Sequence, residues 1–156
     1  MIYLKMEKIK INTKTKIKNS AVHLFNTQET LSVTTNHIAK EAGISPGNLY
    51  YHYKNKEEIV TDLYLDLSKR FEEINSFENI LLSSNPIKVL DDTFELMGEI
   101  FYEYRFLLRD SMVLIALYPS FKENFVRNQE KRIKQIESLL QFLLKENIIQ
   151  YEDRPF

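Results

Sequence analysis

The chain has 156 residues, a formal net charge of −1, 44% hydrophobic and 28% charged residues, and no cysteine. This composition is typical of a folded globular protein and excludes a wholly disordered chain, disulfide bonds, thiolate metal sites and cysteine nucleophiles. The longest apolar run has seven residues, far fewer than the roughly 20 of a membrane span, and the amino terminus lacks the apolar stretch of a secretory signal, so we expect a cytoplasmic protein without a membrane partner.

Three glycines and four prolines are too few for the turns of a many-stranded sheet and favour a helical chain. The apolar spacing predicts a first helix over residues 14–26. Thr34 is typical of the N-cap of a second, short helix, which should run to residue 42, with Gly43 in a left-handed turn after it. Ser45 and Pro46 are typical of the N-cap and first turn of a third helix, which should end at residue 52 or 53.

Four longer helices are predicted in the rest of the chain. The fourth, capped by Asn55 with Glu58 three residues later, should run to about residue 75, and the fifth should start at Pro86. Residues 107–117 are apolar on nearly all sides and predict a buried helix, and a long helix should follow over residues 121–147. The expected fold class is therefore all-α with seven helices.

The second and third predicted helices, with a turn of about four residues between them, have the spacing of a helix-turn-helix. The third helix is about 10 Å long and fits a major groove about 12 Å wide. Leu49 and Tyr53 should face the core, which leaves Asn48, Tyr51 and His52 outward and Tyr50 at the edge. Exposed aromatic side chains with polar tips usually meet a partner. The alternative is an ordinary helical hairpin with its tyrosines half-buried under the fourth helix.

Charge and helix termini suggest phosphate contacts. Residues 1–60 carry a net charge of +4 and the remainder −5, as expected if only the front of the chain meets a polyanion. Lys56 in the first turn of the fourth helix would be favourable beside a phosphate, and Thr34 and Thr35 offer hydroxyl groups at the start of the second helix. A solvated lysine is the alternative for Lys56.

The stretch from Lys14 to about Leu65, above all TTNHIAKEAGISPGNLYYHYKNKEEIV, resembles the DNA-binding domain of TetR/AcrR-family transcriptional regulators. The resemblance implies DNA recognition by Ser45, Pro46, Gly47, Asn48, Tyr50, Tyr51 and His52, and phosphate contacts by Thr35, Tyr51 and Lys56. It implies a helix-turn-helix domain over residues 10–60 and a helical effector-binding and dimerisation domain over residues 61–156. It further implies a homodimeric repressor that binds a palindromic operator in double-stranded DNA and is released by a small molecule.

The family generally has nine or more helices, the last two forming the dimer interface, whereas seven are predicted here. The C-terminal domain is therefore expected to be shorter than usual, or its long last helix to form the interface. The segment 139–144 is apolar at five of six positions, which favours cover by a second subunit, with burial inside the monomer as the alternative.

A ligand cavity is expected among bulky apolar side chains of the back half, namely Phe94, Met97, Phe101, Met112 and Ile115. The effector would be apolar, or cationic if the acidic groups Asp91, Glu95, Glu99, Glu103 and Asp110 took part. The three histidines lie on three different predicted helices, so no metal site is expected. No cofactor motif and no catalytic pattern is present, so we expect no enzyme. The alternative function is a helical protein that binds a protein or sequesters a ligand and does not read DNA.

Overall fold

The computed structural model describes residues 12–74 and 83–150, and in these ranges it contains seven helices and no strand. The helices are α1 (Thr13–Thr27), α2 (Thr35–Glu41), α3 (Pro46–His52), α4 (Lys56–Ile74), α5 (Pro86–Glu103), α6 (Arg105–Leu117) and α7 (Pro119–Lys145). The predicted all-α class is confirmed. The end of the chain after residue 150 lies outside the described residues.

Short-range hydrogen bonds explain where the helices begin. The side chains of Asn12 and Asn85 accept the backbone N–H groups of the third residues of α1 and α5, at 2.9 and 3.1 Å. Asn55 caps α4 in the same way, accepting the N–H of Glu58 at 2.9 Å. The Glu58 carboxylate accepts the N–H of Lys54 at 2.8 Å, one residue before the atom that a standard capping box would use. These side chains satisfy backbone donors that have no partner inside the helix.

One apolar cluster runs through the described part of the chain from Ile17 in α1 to Phe121 in α7. The long helix α4 packs against α1, α5 and α7, so it belongs to both the front and the back of the molecule. The rings of Phe25 in α1 and Phe106 in α6 lie 5.1 Å apart and join the front three helices to α6 directly. The short helices α2 and α3 therefore pack against a core that is continuous with the rest of the described chain.

The prediction that residues 107–117 are buried on nearly all sides was wrong. Phe106, Leu107 and Leu114 of α6 are buried, but Leu108, Met112, Val113 and Leu117 are 43–78% exposed. Neighbouring helices cover one side of α6 and leave the opposite apolar side in solvent within the single chain.

An exposed apolar stripe also follows α7. The residues of this stripe are spaced three, four or seven positions apart, which places them on one face of the helix. They are Val126, Ile133, Ile136, Leu140 and Leu144. At 3.6 residues per turn these positions fall within an arc of about 80°. In the segment 139–144, Leu143 is buried and two leucines of the stripe are exposed. The monomer therefore covers only part of this segment.

Candidate nucleic-acid interface

The turn between α2 and α3 is built by residues suited to each of its positions. Gly43 has a φ of +66°, which costs glycine nothing and is strained for other residues. The N–H of Gly43 donates to the Lys40 carbonyl at 3.1 Å and the N–H of Ile44 donates to the Ala39 carbonyl at 3.0 Å. This pair of bonds is a Schellman motif, which ends α2 and turns the chain toward α3.

Caps then fix the start of both short helices. The Thr34 hydroxyl accepts the N–H of His37 at 3.2 Å, and the His37 ring accepts the N–H of Thr34 at 3.3 Å, which is a complete capping box. Ser45 accepts the N–H of Asn48 at 3.2 Å, and Pro46 occupies the first turn of α3. The predicted caps and the predicted left-handed glycine are confirmed.

The helix α3 has one face in the core and one in solvent. Leu49 and Tyr53 are 0% and 4% exposed. The Tyr53 hydroxyl donates to Asp62 at 2.7 Å, and burial, followed by this contact, raises the pKa of Tyr53 well above its usual range. Tyr51 is 85% exposed, and its ring and the His52 ring lie nearly perpendicular with their centroids 5.2 Å apart. Because the inner face is anchored, the outer face is presented in a defined orientation.

The outer face is continuous with the start of α2. The hydroxyl groups of Thr35 and Tyr50 lie 3.0 Å apart and form a hydrogen bond between the two helices. Of the DNA-contacting residues expected from the sequence, seven are exposed: Thr34, Ser45, Pro46, Gly47, Asn48, Tyr50 and Tyr51. Thr35, His52 and Lys56 are half-buried. The seven exposed residues thus lie at the starts of α2 and α3 and along α3, while Lys56 lies partly covered at the start of α4.

Gly47 lies in the first turn of α3, and a Cβ added there would have no heavy atom within 4 Å apart from those of its chain neighbours and of the backbone of its own helix. Packing inside the monomer therefore gives no reason for glycine at this position. A close approach from outside does give one, since a side chain would stand between the helix and an incoming phosphate backbone.

Lys56 is placed differently from the expectation of a free cation beside a phosphate. Its ammonium group donates to three backbone carbonyl groups, those of Thr30, Leu31 and Val33, at 2.9, 3.0 and 2.8 Å. Burial lowers the pKa of Lys56. The three donors of the ammonium are all used inside the chain, so Lys56 holds the segment between α1 and α2.

Sequence reasoning did not single out two other lysines near this face. Lys40 in the last turn of α2 and Lys54 between α3 and α4 are both exposed. Their position in the sequence beside the helix-turn-helix could have identified them, because exposed cations next to a DNA-reading helix are suited to phosphate contacts.

The expected ligand cavity is not formed by the residues predicted for it. Phe94 and Met112 are 66% and 78% exposed, while Met97, Phe101 and Ile115 pack partly buried against the core. A cavity of about 140 Å³ does lie between α4, α5, α6 and α7, and Phe101 is the one predicted residue that lines it. Its other walls include Tyr64, Phe71, Leu107 and Phe125.

The prediction failed because apolar spacing identifies a helix face without saying which neighbour covers it. On α5 and α6 part of that apolar surface points away from α4 and α7. The acidic residues considered for a cationic ligand, with Asp91, Glu95 and Glu99 exposed, do not line the cavity. Arg132 does line it.

Within residues 12–74 and 83–150 no group of three or more His, Asp or Glu side chains is arranged to hold a metal ion. No helix in those ranges is long and apolar enough to cross a membrane.

Comparisons with known proteins agree with this architecture. The family model described as bacterial regulatory proteins, tetR family, matches residues 17–63, and the model described as bacterial transcriptional repressor matches residues 67–156. YttP of Bacillus subtilis (strain 168), described as a probable HTH-type transcriptional regulator, is 32% identical over 94 residues, which cover 58% of this chain and 44% of that protein. The chain thus spans less than half the length of that relative.

Two solved structures share the fold. A TetR-family transcriptional regulator from Marinobacter aquaeolei VT8 superposes with a TM-score of 0.79 at 26% identity, covering 92% of this chain and 70% of that one. The TetR-family regulator PfmR from Thermus thermophilus gives a TM-score of 0.72 at 21% identity, covering 91% and 76%. With two family models matching nearly the whole chain and a helix-turn-helix at the expected residues, the chain belongs to the tetR family of bacterial regulatory proteins.

Proposed function

We propose that the chain is a cytoplasmic, sequence-specific DNA-binding transcriptional repressor that uses α3 as its reading helix. The observation that carries the proposal is the outer face of α3, where Asn48 and the 85% exposed Tyr51 stand beside the open surface at Gly47. Asn and Tyr side chains hydrogen-bond base edges or phosphates, and a Tyr ring can also contact a thymine methyl group.

Phosphate contacts in this proposal come from groups around that face. Thr34, Thr35 and Ser45 contribute hydroxyl groups at the starts of α2 and α3, and Tyr51 adds a phenol. The exposed Lys40 and Lys54 supply charge. Lys56 supports binding indirectly. Its ammonium group is hydrogen-bonded to backbone carbonyl groups of the segment before α2 and so holds that segment in place.

The proposed active form is a homodimer on a palindromic operator. The exposed apolar stripe of α7 supports this, as does the exposed apolar side of α6, because an apolar surface that continues along a helix usually marks an interface. A two-fold dimer would place two α3 helices about 34–36 Å apart, one turn of the duplex.

A small apolar effector is proposed for the cavity of about 140 Å³ between α4 and α7. A cavity of that size accepts a group about as large as benzene. Its walls are mostly aromatic and aliphatic, and the guanidinium of Arg132 among them disfavours a cationic ligand.

The test begins with selection of duplexes from a random-sequence pool by the full chain. The affinity for a selected duplex is then measured by fluorescence anisotropy between about 50 and 200 mM salt. Binding through several phosphates makes the logarithm of the association constant fall linearly with the logarithm of salt, with a slope near −0.9 per phosphate neutralised. Failure to select any duplex, or a flat salt response, would instead favour a helical protein that binds a protein or sequesters a ligand.

A further inference from the structure

The six residues 28–33 between α1 and α2 lead directly to Thr34, the N-cap of α2. Inside this segment one backbone bond, from the N–H of Ser32 to the Glu29 carbonyl at 3.0 Å, is formed. Side chains from two distant helices, α4 and α6, supply further contacts to its backbone.

Arg109 of α6 provides the first of these contacts. Its guanidinium donates to the carbonyl of Phe25, in the last turn of α1, at 2.8 Å and to the carbonyl of Gln28 at 2.7 Å. Asp110 orients this guanidinium: it accepts a hydrogen bond from Nε at 2.8 Å and lies 2.8 Å from the same Nη2 group that contacts the two carbonyl groups, so the two hydrogens of Nη2 are shared among three acceptors. The Asp110 carboxylate also accepts the backbone N–H of Thr30 at 3.1 Å. Two adjacent residues of α6 thus bind the backbone on both sides of the end of α1.

Asn26 attaches the beginning of α6 to α1. Its amide oxygen accepts the N–H of Phe106 at 3.1 Å, and its amide nitrogen donates to the Glu103 carbonyl at 2.7 Å. Lys56 of α4 binds the carbonyl groups of residues 30, 31 and 33 in the same segment. The segment before α2 is therefore held by side chains of both α4 and α6.

We propose that Arg109 is a positioning residue for DNA recognition, through which α6 sets the place of α2 and, through the hydrogen bond between Thr35 and Tyr50, the place of the base-reading helix α3. The inference rests on the proposed DNA-binding function.

The experiment compares Arg109→Met with Arg105→Met in the full chain. Both substitutions remove one positive charge from α6, but Arg105 donates to the Tyr102 carbonyl at 2.9 Å, next to its own helix, and stacks 4.6 Å from the Tyr102 ring. The probes are a duplex selected by the unmodified chain from a random pool and a scrambled duplex of equal length. Affinities are measured at a temperature where each variant is fully folded by circular dichroism.

We expect Arg109→Met to weaken binding of the selected duplex about 10-fold, within the 5- to 150-fold range typical of coupling between sites. Binding of the scrambled duplex should change less than about twofold, since nonspecific binding depends mainly on charge and not on how α3 meets the base edges. Arg105→Met should leave both affinities within about twofold. Hydrogen exchange should quicken at the amides of Thr30 and Ser32 in the Arg109 variant only.

Several outcomes would overturn the inference. One is an unchanged affinity of Arg109→Met for the selected duplex, and another is an equal loss on the two duplexes. If Arg109→Met does not fold, Asp110→Ala, which removes the acceptor of the Thr30 N–H, takes its place, and an unchanged preference for the selected duplex overturns the inference again. If the unmodified chain selects no duplex, the proposed function fails and the inference fails with it. If the unmodified chain selects a duplex and the variants bind that duplex with unchanged affinity, the inference is overturned and the proposed function stands.

Discussion

Replacement of Tyr51 by alanine tests most directly whether the outer face of α3 binds DNA without contributing to the core. The side chain is 85% exposed, so contact with DNA could remove most of its area of roughly 200 Å² from solvent. At about 25 cal/mol per Å² this burial is worth at most about 4 kcal/mol, and the costs of association reduce what is observed. We therefore expect Tyr51→Ala to lose at least about 2 kcal/mol of binding free energy, roughly a 30-fold weaker affinity for a selected duplex.

The stability of the same variant should be nearly unchanged. An exposed side chain without core contacts changes the free energy of unfolding by less than about 0.5 kcal/mol. The control is Leu49→Ala on the opposite face of α3, which is 0% exposed and should cost about 2–5 kcal/mol of stability. Affinity is measured by fluorescence anisotropy and stability by urea unfolding. The reasoning is refuted if Tyr51→Ala binds the duplex within threefold of the unmodified chain, or if it loses as much stability as Leu49→Ala.

Four further results are expected. Gly47→Ala should weaken binding of a selected duplex at least about 10-fold, because the added Cβ would stand between α3 and the phosphate backbone. The melting temperature should not fall, because the Cβ meets open space in the monomer. Unchanged affinity would remove the argument for a close phosphate. Gly98→Ala in the middle of α5, also beside open space, should raise the free energy of unfolding by about 0.5–1 kcal/mol, and a decrease would show that the position is covered. Ile133→Glu in the exposed stripe of α7 should turn a dimer into a monomer, as measured by light scattering at micromolar concentration. Ser138→Glu, on a different face of α7, should leave the dimer intact. Equal behaviour of the two variants would place the interface elsewhere. Hydrogen bonds, first from Arg109 and then from Thr30, lower the pKa of Asp110 from 3.8 to about 2 against the opposing effect of burial. The charged carboxylate therefore stabilises the fold fully above about pH 4 and ceases to do so as the pH falls toward 2. The stability difference between the unmodified chain and Asp110→Asn in urea unfolding should shrink over that range, and a constant difference would contradict the assigned contacts.

The starts and ends of the helices around the turn could be predicted from sequence because they depend on atoms a few positions apart. Thr34 accepts the N–H of His37 and Ser45 accepts the N–H of Asn48, and each bond spans three residues. The left-handed turn at Gly43 follows from the freedom of a single residue. The inward position of Leu49 follows from helical spacing.

Residues of the candidate site that depend on distant parts of the chain were predicted less well. Lys56 had the right position for a cation at the start of a helix, yet its ammonium group bonds to carbonyl groups 23 to 26 residues earlier. A pattern search finds the lysine and its helix position, but it does not find these acceptors, because their approach requires α1 and α4 to be packed together.

The sequence by itself determined the all-α class, the helix boundaries around the turn, the family resemblance and the inward and outward faces of α3, since each arises from chemistry within one or two turns of chain. Only the tertiary structure decided that Phe94 and Met112 lie in solvent, that the cavity has other walls, and that Arg109 binds carbonyl groups more than 80 residues away. The physical reason is that an apolar or charged side chain carries no information about its partner, and the packing of whole helices selects that partner.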